Sequence, residues 1–179
     1  MTYKETLYFV AKCLTISLEP ENKKAIKKQL DTKTINWDQV VKLSTSHYVF
    51  PALYCNLKRA DFLKYLPADL VAYMEHITNL NRERNEEIIT QARELNTLLL
   101  ANNISPIFLK GTGNLLAGIY DDIAERMVGD IDFIFSKDVI DCCTIANVTW
   151  STRLEKSLGF INHIYTIQLS MPNLQVNMK

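Results

Sequence analysis

Two aspartates lie two positions apart in an apolar run. Asp130 and Asp132 flank Ile131, and the run continues as Phe133-Ile134-Phe135. Residues two apart on a β-strand point to the same face, so both carboxylates are expected on one side of the strand. A carboxylate in so apolar a strand is unfavourable to bury without a cation. The spacing therefore predicts a divalent metal site with Asp130 and Asp132 as its ligands.

A glycine-rich stretch precedes the aspartates. Residues 107–109 predict a strand that ends at Lys110, and Gly111-Thr112-Gly113 follow it. We expect a helix over residues 114–120. Helix N-termini bind phosphate through free N–H groups and a positive dipole end, and small residues let the phosphate approach. With the charges of Lys110 and Arg126 on either side, the stretch predicts a nucleotide-binding set: Lys110, Gly111, Thr112 and Arg126.

Phosphate binding beside paired carboxylates favours one kind of chemistry. Mg²⁺ takes oxygen ligands from carboxylates while it also binds phosphate oxygens. Positioning and charge neutralisation are most of what phosphoryl or nucleotidyl transfer requires, with Mg²⁺ or Mn²⁺ as cofactor. We therefore predict Asp130 and Asp132 as catalytic residues. The alternative is that Asp130 caps a turn and Asp132 lies exposed on an edge strand.

These motifs resemble a known family. The chain is similar to nucleotidyltransferases of the DNA polymerase β superfamily, and most resembles the bacterial group called uncharacterised nucleotidyltransferases. The resemblance rests on Leu109-Lys110-Gly111, on Arg126, and on Asp130-Ile131-Asp132. The helical region before them also matches, so that the resemblance covers roughly residues 35–165.

The resemblance implies a fold and an activity. The expected fold is α+β (α/β), with an N-terminal helical region over residues 1–103. A small mixed β-sheet flanked by helices follows over residues 104–179, in a core expected to be short at its C-terminus. The implied activity is transfer of a nucleoside monophosphate from an NTP to an unknown hydroxyl acceptor, which is a small molecule, a protein or RNA. Two alternatives stay open: a catalytically degenerate module that binds nucleotide or protein, and a helical module with an incidental Asp-x-Asp.

The superfamily normally has a third acidic residue on a later strand. After Asp132 the acidic residues are Asp138, Asp141 and Glu155, which the pattern places on helices. Strands are predicted over residues 164–169 and 174–178, and the second would carry Asn177 at the inward position. Either the site is incomplete, which we favour, or a carboxylate such as Glu155 fills the role.

The longest predicted element is a helix over residues 68–102. Its centre, residues 81–87, is polar all round. Either the helix crosses a gap there, or the apolar stripe gives way to a polar site, and the first is favoured. Asp121 and Asp122, between the two motifs, are expected to be solvent-facing turn residues.

Bulk composition excludes several classes of protein. The 20 basic and 20 acidic residues cancel, so no overall field attracts nucleic acid or acidic lipid. The apolar runs are shorter than a membrane span, and the start lacks a secretion signal. The four cysteines show no metal-ligand spacing, which is typical of a reduced compartment. We therefore expect a cytoplasmic protein without a membrane partner, and the sequence predicts no oligomeric state.

Overall fold

The computed structural model describes residues 1–135, 151–153 and 164–168. The helices predicted after Phe135 and the strand predicted over residues 174–178 lie outside the described residues. Within these residues, five α-helices come first, and the strands follow the long helix with one short α-helix between the first two strands. The α+β prediction is therefore confirmed. No helix in this part of the chain is both long and apolar enough to cross a membrane.

Six α-helices are present in the described residues. They are α1 (Tyr3–Leu14), α2 (Pro20–Asp31), α3 (Trp37–Ser46), α4 (Phe50–Arg59), α5 (Ala68–Ala101) and α6 (Lys110–Leu116). Short 3₁₀ turns lie at Leu63–Tyr65 and Ile123–Glu125. The predicted long helix is confirmed as α5. The predicted helix over residues 114–120 is wrong at both ends, because α6 begins at Lys110 and ends at Leu116.

Four strands form one sheet in the order β1-β2-β4-β3. They are β1 (Ile107–Phe108), β2 (Asp130–Ile134), β3 (Ser151–Arg153) and β4 (Ile164–Gln168). Each adjacent pair is antiparallel. The resemblance had implied a mixed sheet, and the pairs among these four strands are antiparallel throughout.

The contacts divide the chain into two units. The helical unit comprises Met1–Glu86 and Tyr120–Met127, and the sheet unit comprises Glu87–Ile119 with the described residues from Val128 onward. Helix α5 contributes residues to both. These boundaries are not those of the predicted division into residues 1–103 and 104–179, which stays a prediction about domains.

Each unit has its own buried apolar residues. In the helical unit a single cluster spans α1 to α5 and includes Phe9, Ile26, Leu53, Leu57 and Met74. In the sheet unit, Leu99 of α5 is buried, as are Ile131 and Phe133 of the central strand β2. Burial of such side chains is the main favourable contribution to folding. Strand β2 is thus held in a buried position, which fixes the place of the aspartates that it carries.

Candidate active site

The two aspartates lie at the start of β2. Asp130 is half-buried, and the side chain of Asp132 is only 3% exposed. On the neighbouring strand β4, their register partners are Gln168 and Thr166. The alternative reading of Asp132 as an exposed edge residue is therefore wrong, since β2 is paired on both sides and Asp132 is buried.

Lys110 supplies the positive charge beside this pair. Its Nζ lies 3.0 Å from Oδ2 of Asp132. The backbone brings the two residues together, because the N–H of Leu109 donates to the carbonyl oxygen of Asp132 at 2.8 Å. Lys110 itself has a φ of 50°, in the left-handed region that non-glycine residues seldom adopt. Such strained backbone is concentrated at functional sites.

Thr112 connects α6 to the same strand. Its hydroxyl donates to the carbonyl oxygen of Asp130 at 3.0 Å, and the residue is buried. Gly111 is buried next to it in the first turn of α6. In this arrangement the Thr112 proton is used to hold the start of β2 against the helix. The binding of nucleotide by Gly111 and Thr112 stays a prediction.

The electrostatics of the pair favour a bound cation. Burial raises the pKa of Asp130, and the negative charge of Asp132 raises it further, while the charge of Lys110 acts in the opposite direction. Two close carboxylates favour protonation of one of them unless positive charge is present. The charge of Lys110 compensates only part of this effect, since the pKa of Asp130 stays above its ordinary value.

Comparison with known proteins identifies the family of the chain. The sequence model of a family described as "Uncharacterised nucleotidyltransferase" matches residues 33–145, which is more than half of the chain. The chain belongs to this family. Among curated proteins and solved structures, none matches the chain significantly. The matched part of this nucleotidyltransferase-family chain includes both aspartates and all four residues predicted to bind nucleotide.

The aspartates fit one half of the Mg²⁺ site that nucleotidyltransferase chemistry implies. Their carboxylate oxygens are the donor type that Mg²⁺ prefers, and an ammonium group already stands in as a cation on Asp132. Among residues 1–135 and the two later strands, no group of three or more acidic, histidine or cysteine residues is arranged to hold a metal. The four strands carry carboxylates at positions 130 and 132 alone.

The candidates for a third carboxylate lie elsewhere in the chain. Asp138, Asp141 and Glu155 are outside the described residues, as is Asn177, the predicted inward residue of the last strand, so the predictions about them stay predictions. Of the two strands that pair with β2, neither β1 (Ile107–Phe108) nor β4 (Ile164–Gln168) includes an acidic residue.

Arg126 belongs to the helical unit, in the segment that leads to β2. Its side chain is exposed, and its carbonyl oxygen accepts hydrogen bonds from the side-chain amides of Asn81 at 3.0 Å and Asn85 at 2.7 Å. The same amides donate to the carbonyls of Ala124 and Ile123. A contact between Arg126 and a triphosphate stays a prediction.

The polar centre of α5 therefore has a structural purpose. The favoured prediction for residues 81–87 was that the helix crosses a gap there. This prediction is wrong for Asn81 and Asn85. Both amides are buried and fix the backbone of residues 123–126. The signal in the sequence was the spacing of these asparagines, since residues four apart share one face of a helix.

Asp122 also departs from its prediction. Asp121 is solvent-facing as expected, with its side chain 84% exposed. Asp122 is half-buried, caps the 3₁₀ turn through the N–H of Ala124, and binds Arg82 through two hydrogen bonds of 2.7 and 3.2 Å. The expectation that Asp122 faces solvent is therefore wrong. The sequence pattern missed this ion pair because Arg82 lies 40 residues earlier, on α5, and comes close to Asp122 only in the folded chain.

The pKa of Asp122 gives a pH-dependent prediction. Burial acts to raise this pKa, but the hydrogen bonds from Arg82 and Ala124 and the charge of Arg82 hold it below its ordinary value. A carboxylate with a lowered folded-state pKa stabilises the fold above the unfolded-state pKa of about 3.9, and loses that contribution as the pH falls through the folded value. At pH 7, Asp122→Asn should lower the free energy of unfolding by about 1 kcal/mol, and in acid the loss should shrink.

Urea unfolding from pH 7 down to about pH 2 measures this difference, because the contribution is lost only below the unfolded-state pKa. The matched control is Asp121→Asn, which removes an exposed carboxylate 3.7 Å from Arg59 and should change the stability little. A loss for Asp122→Asn that does not diminish in acid, or an equal loss in the control, would contradict the role of the ion pair.

Gly113 is required by the approach of α6 to β1. A Cβ atom at this position would lie 2.6 Å from the carbonyl oxygen of Phe108. We predict that Gly113→Ala destabilises the fold by about 2 kcal/mol, since overpacking against backbone forces a shift. Thermal unfolding measures the effect, and Gly129→Ala is the control because nothing lies within 4 Å of its added Cβ. Equal melting temperatures for the two variants would show that the contact is not restrictive.

Proposed function

We propose that this chain transfers a nucleoside monophosphate from an NTP to a hydroxyl group of an acceptor. The observation that carries the proposal is the pair Asp130 and Asp132 at the start of one strand, with the Lys110 ammonium 3.0 Å from Asp132. Membership of the nucleotidyltransferase family supports the class of reaction. The use of Mg²⁺, of an NTP as donor and of a hydroxyl group as acceptor is part of what we propose.

In the proposal, Asp130 and Asp132 hold Mg²⁺ through their carboxylate oxygens. Bound there, Mg²⁺ would neutralise phosphate charge and orient the triphosphate. Burial of Asp132 keeps water away from one ligand, which strengthens its attraction for a cation. Thr112 positions Asp130 through its backbone carbonyl, so that the two carboxylates are presented from one rigid strand.

The cationic residues would bind the triphosphate. Lys110 is exposed at the side of the pair, and its three N–H donors suit phosphate oxygens. Gly111 and Thr112 are in the first turn of α6, where backbone N–H groups lack intrahelical acceptors. Arg126, exposed in the segment before β2, is proposed to bind the same triphosphate.

Transfer of label from differently labelled NTPs tests the proposal. Each of the four NTPs, labelled at the α-phosphorus or, in parallel samples, at the γ-phosphorus, is incubated with the protein, Mg²⁺ and pools of small molecules, proteins or RNA. We expect one pool to retain the α-label with release of pyrophosphate, and no pool to retain a γ-label. Retention of the γ-label would indicate phosphoryl transfer instead, and retention of neither label would refute transfer.

A second candidate is a module that binds nucleotide without transferring it. The observation that favours it is that the four described strands carry only two carboxylates, at 130 and 132. Calorimetry with Mg²⁺-ATP and Mg²⁺-CTP distinguishes the two candidates when it is combined with the label assay. Binding without pyrophosphate release supports the module.

A further inference from the structure

The contact between Lys110 and Asp132 has the chemistry of an exchangeable counter-ion. The carboxylate of Asp132 is 3% exposed, so most of its hydration is lost, while the side chain of Lys110 is 58% exposed. The buried partner is therefore fixed on β2, and the cationic partner is free to leave toward solvent. A long lysine side chain moves its charge by rotation about its own bonds, without change in the backbone.

The ammonium group and a divalent ion compete for the same oxygen. Nζ of Lys110 is 3.0 Å from Oδ2 of Asp132. A Mg²⁺ or Mn²⁺ ion that used this oxygen would lie about 2.1 Å from it, and the positive charge of the ammonium would oppose its approach. The ammonium of Lys110 therefore has to leave before a metal ion can use this oxygen of Asp132.

The triphosphate offers Lys110 a second partner. When the ammonium binds phosphate oxygens, its charge is compensated and Asp132 is released for the metal. We propose that Lys110 is an internal counter-ion. It lowers the affinity of the aspartate pair for a free divalent ion, so that metal binding depends on the nucleotide. This inference rests on the proposed function, because it assigns the order in which that site is filled.

The coupling has a reciprocal consequence. A ligand that removes Lys110 from Asp132 strengthens metal binding, and by linkage the metal strengthens binding of that ligand by the same factor. The left-handed φ of 50° at Lys110 fits this role, since the backbone that aims the side chain at Asp132 is held in a sparsely populated conformation.

Binding of Mn²⁺ without nucleotide tests the inference. The free-ion signal in electron paramagnetic resonance gives the Kd for Mn²⁺ of the wild type and of two variants. Lys110→Met keeps the length of the side chain but removes its charge, and Lys110→Arg keeps the charge. We expect Lys110→Met to bind Mn²⁺ about tenfold more tightly than the wild type, which corresponds to about 1.4 kcal/mol. Lys110→Arg should resemble the wild type.

Addition of a non-hydrolysable NTP gives the second half of the test. The wild type should then gain about tenfold in Mn²⁺ affinity on its aspartates, whereas Lys110→Met should gain much less than this. Asp132→Asn serves as the baseline that reports Mn²⁺ held by the nucleotide alone. If Lys110→Met does not fold, Lys110→Gln replaces it.

Equal or weaker Mn²⁺ binding by Lys110→Met overturns the inference, and so does the absence of binding in every variant. The proposed function fails separately, through loss of α-label transfer by the wild type. If the wild type transfers label but binds Mn²⁺ with the same affinity as Lys110→Met, only the counter-ion role of Lys110 is refuted and the proposed function stands.

Discussion

Replacing Asp130 or Asp132 by asparagine is expected to lower nucleotidyl transfer by about a thousandfold. Asparagine keeps the size of the side chain and removes the charge that holds the metal. Metal stabilisation of a transition state is worth several kcal/mol, and about 4 kcal/mol corresponds to three powers of ten in rate. The measurement is retention of α-label on the acceptor pool at saturating Mg²⁺ and NTP.

Asp31→Asn is the matched control for the loss of one negative charge. Asp31→Asn changes an exposed carboxylate at the end of α2 and should leave transfer unchanged. Far-ultraviolet circular dichroism and melting temperature show whether each variant is folded. Transfer by folded Asp130→Asn and Asp132→Asn variants at the wild-type rate would remove both residues from the reaction.

The largest expected loss of stability is that of Asn85→Ala. The Asn85 amide is fully buried and donates to the carbonyls of Ile123 and Arg126 at 2.5 and 2.7 Å. Its removal leaves the carbonyl of Ile123 without this donor, while the carbonyl of Arg126 keeps only the bond from Asn81, and an unpartnered buried group costs about 1–3 kcal/mol. We predict a loss of about 3 kcal/mol in the free energy of unfolding, measured by urea denaturation.

Gln91→Ala is the comparison for Asn85→Ala. Gln91 is an exposed amide in the same helix, and alanine has the higher helix propensity, so the substitution should be neutral or slightly stabilising. A second comparison is Asn81→Ala, whose amide donates to Ala124 and Arg126 and should also destabilise. A loss below 1 kcal/mol for Asn85→Ala would show that residues 123–126 are held by other contacts.

The parts of the fold that follow from local pattern were predicted well. The period of apolar residues marked α5, and the apolar runs marked β1, β2 and β4, because side-chain periodicity is a property of each segment alone. The same runs placed Asp130 and Asp132 two apart on one strand. Lys110 and Thr112, which were predicted to bind nucleotide, lie beside the aspartates in the fold.

The errors have tertiary causes. Gly111 and Gly113 are poor helix formers, so the pattern delayed the start of α6 to residue 114. In the fold, the absence of a Cβ at Gly113 lets the helix approach the carbonyl of Phe108, and this packing outweighs helix propensity. The partners of Asp122 and Asn85 are about 40 residues away in the chain, and a local pattern holds no information about them.

The central claim is that Asp130 and Asp132 hold a metal ion together with a nucleoside triphosphate. A crystal structure of the protein with Mg²⁺ and a non-hydrolysable NTP tests it most directly. We predict a Mg²⁺ ion about 2.1 Å from carboxylate oxygens of both residues and from a phosphate oxygen, with Lys110 turned from Asp132 to the triphosphate. A nucleotide bound away from the aspartates, or bound beside them with Lys110 still on Asp132 and no metal, would contradict the claim.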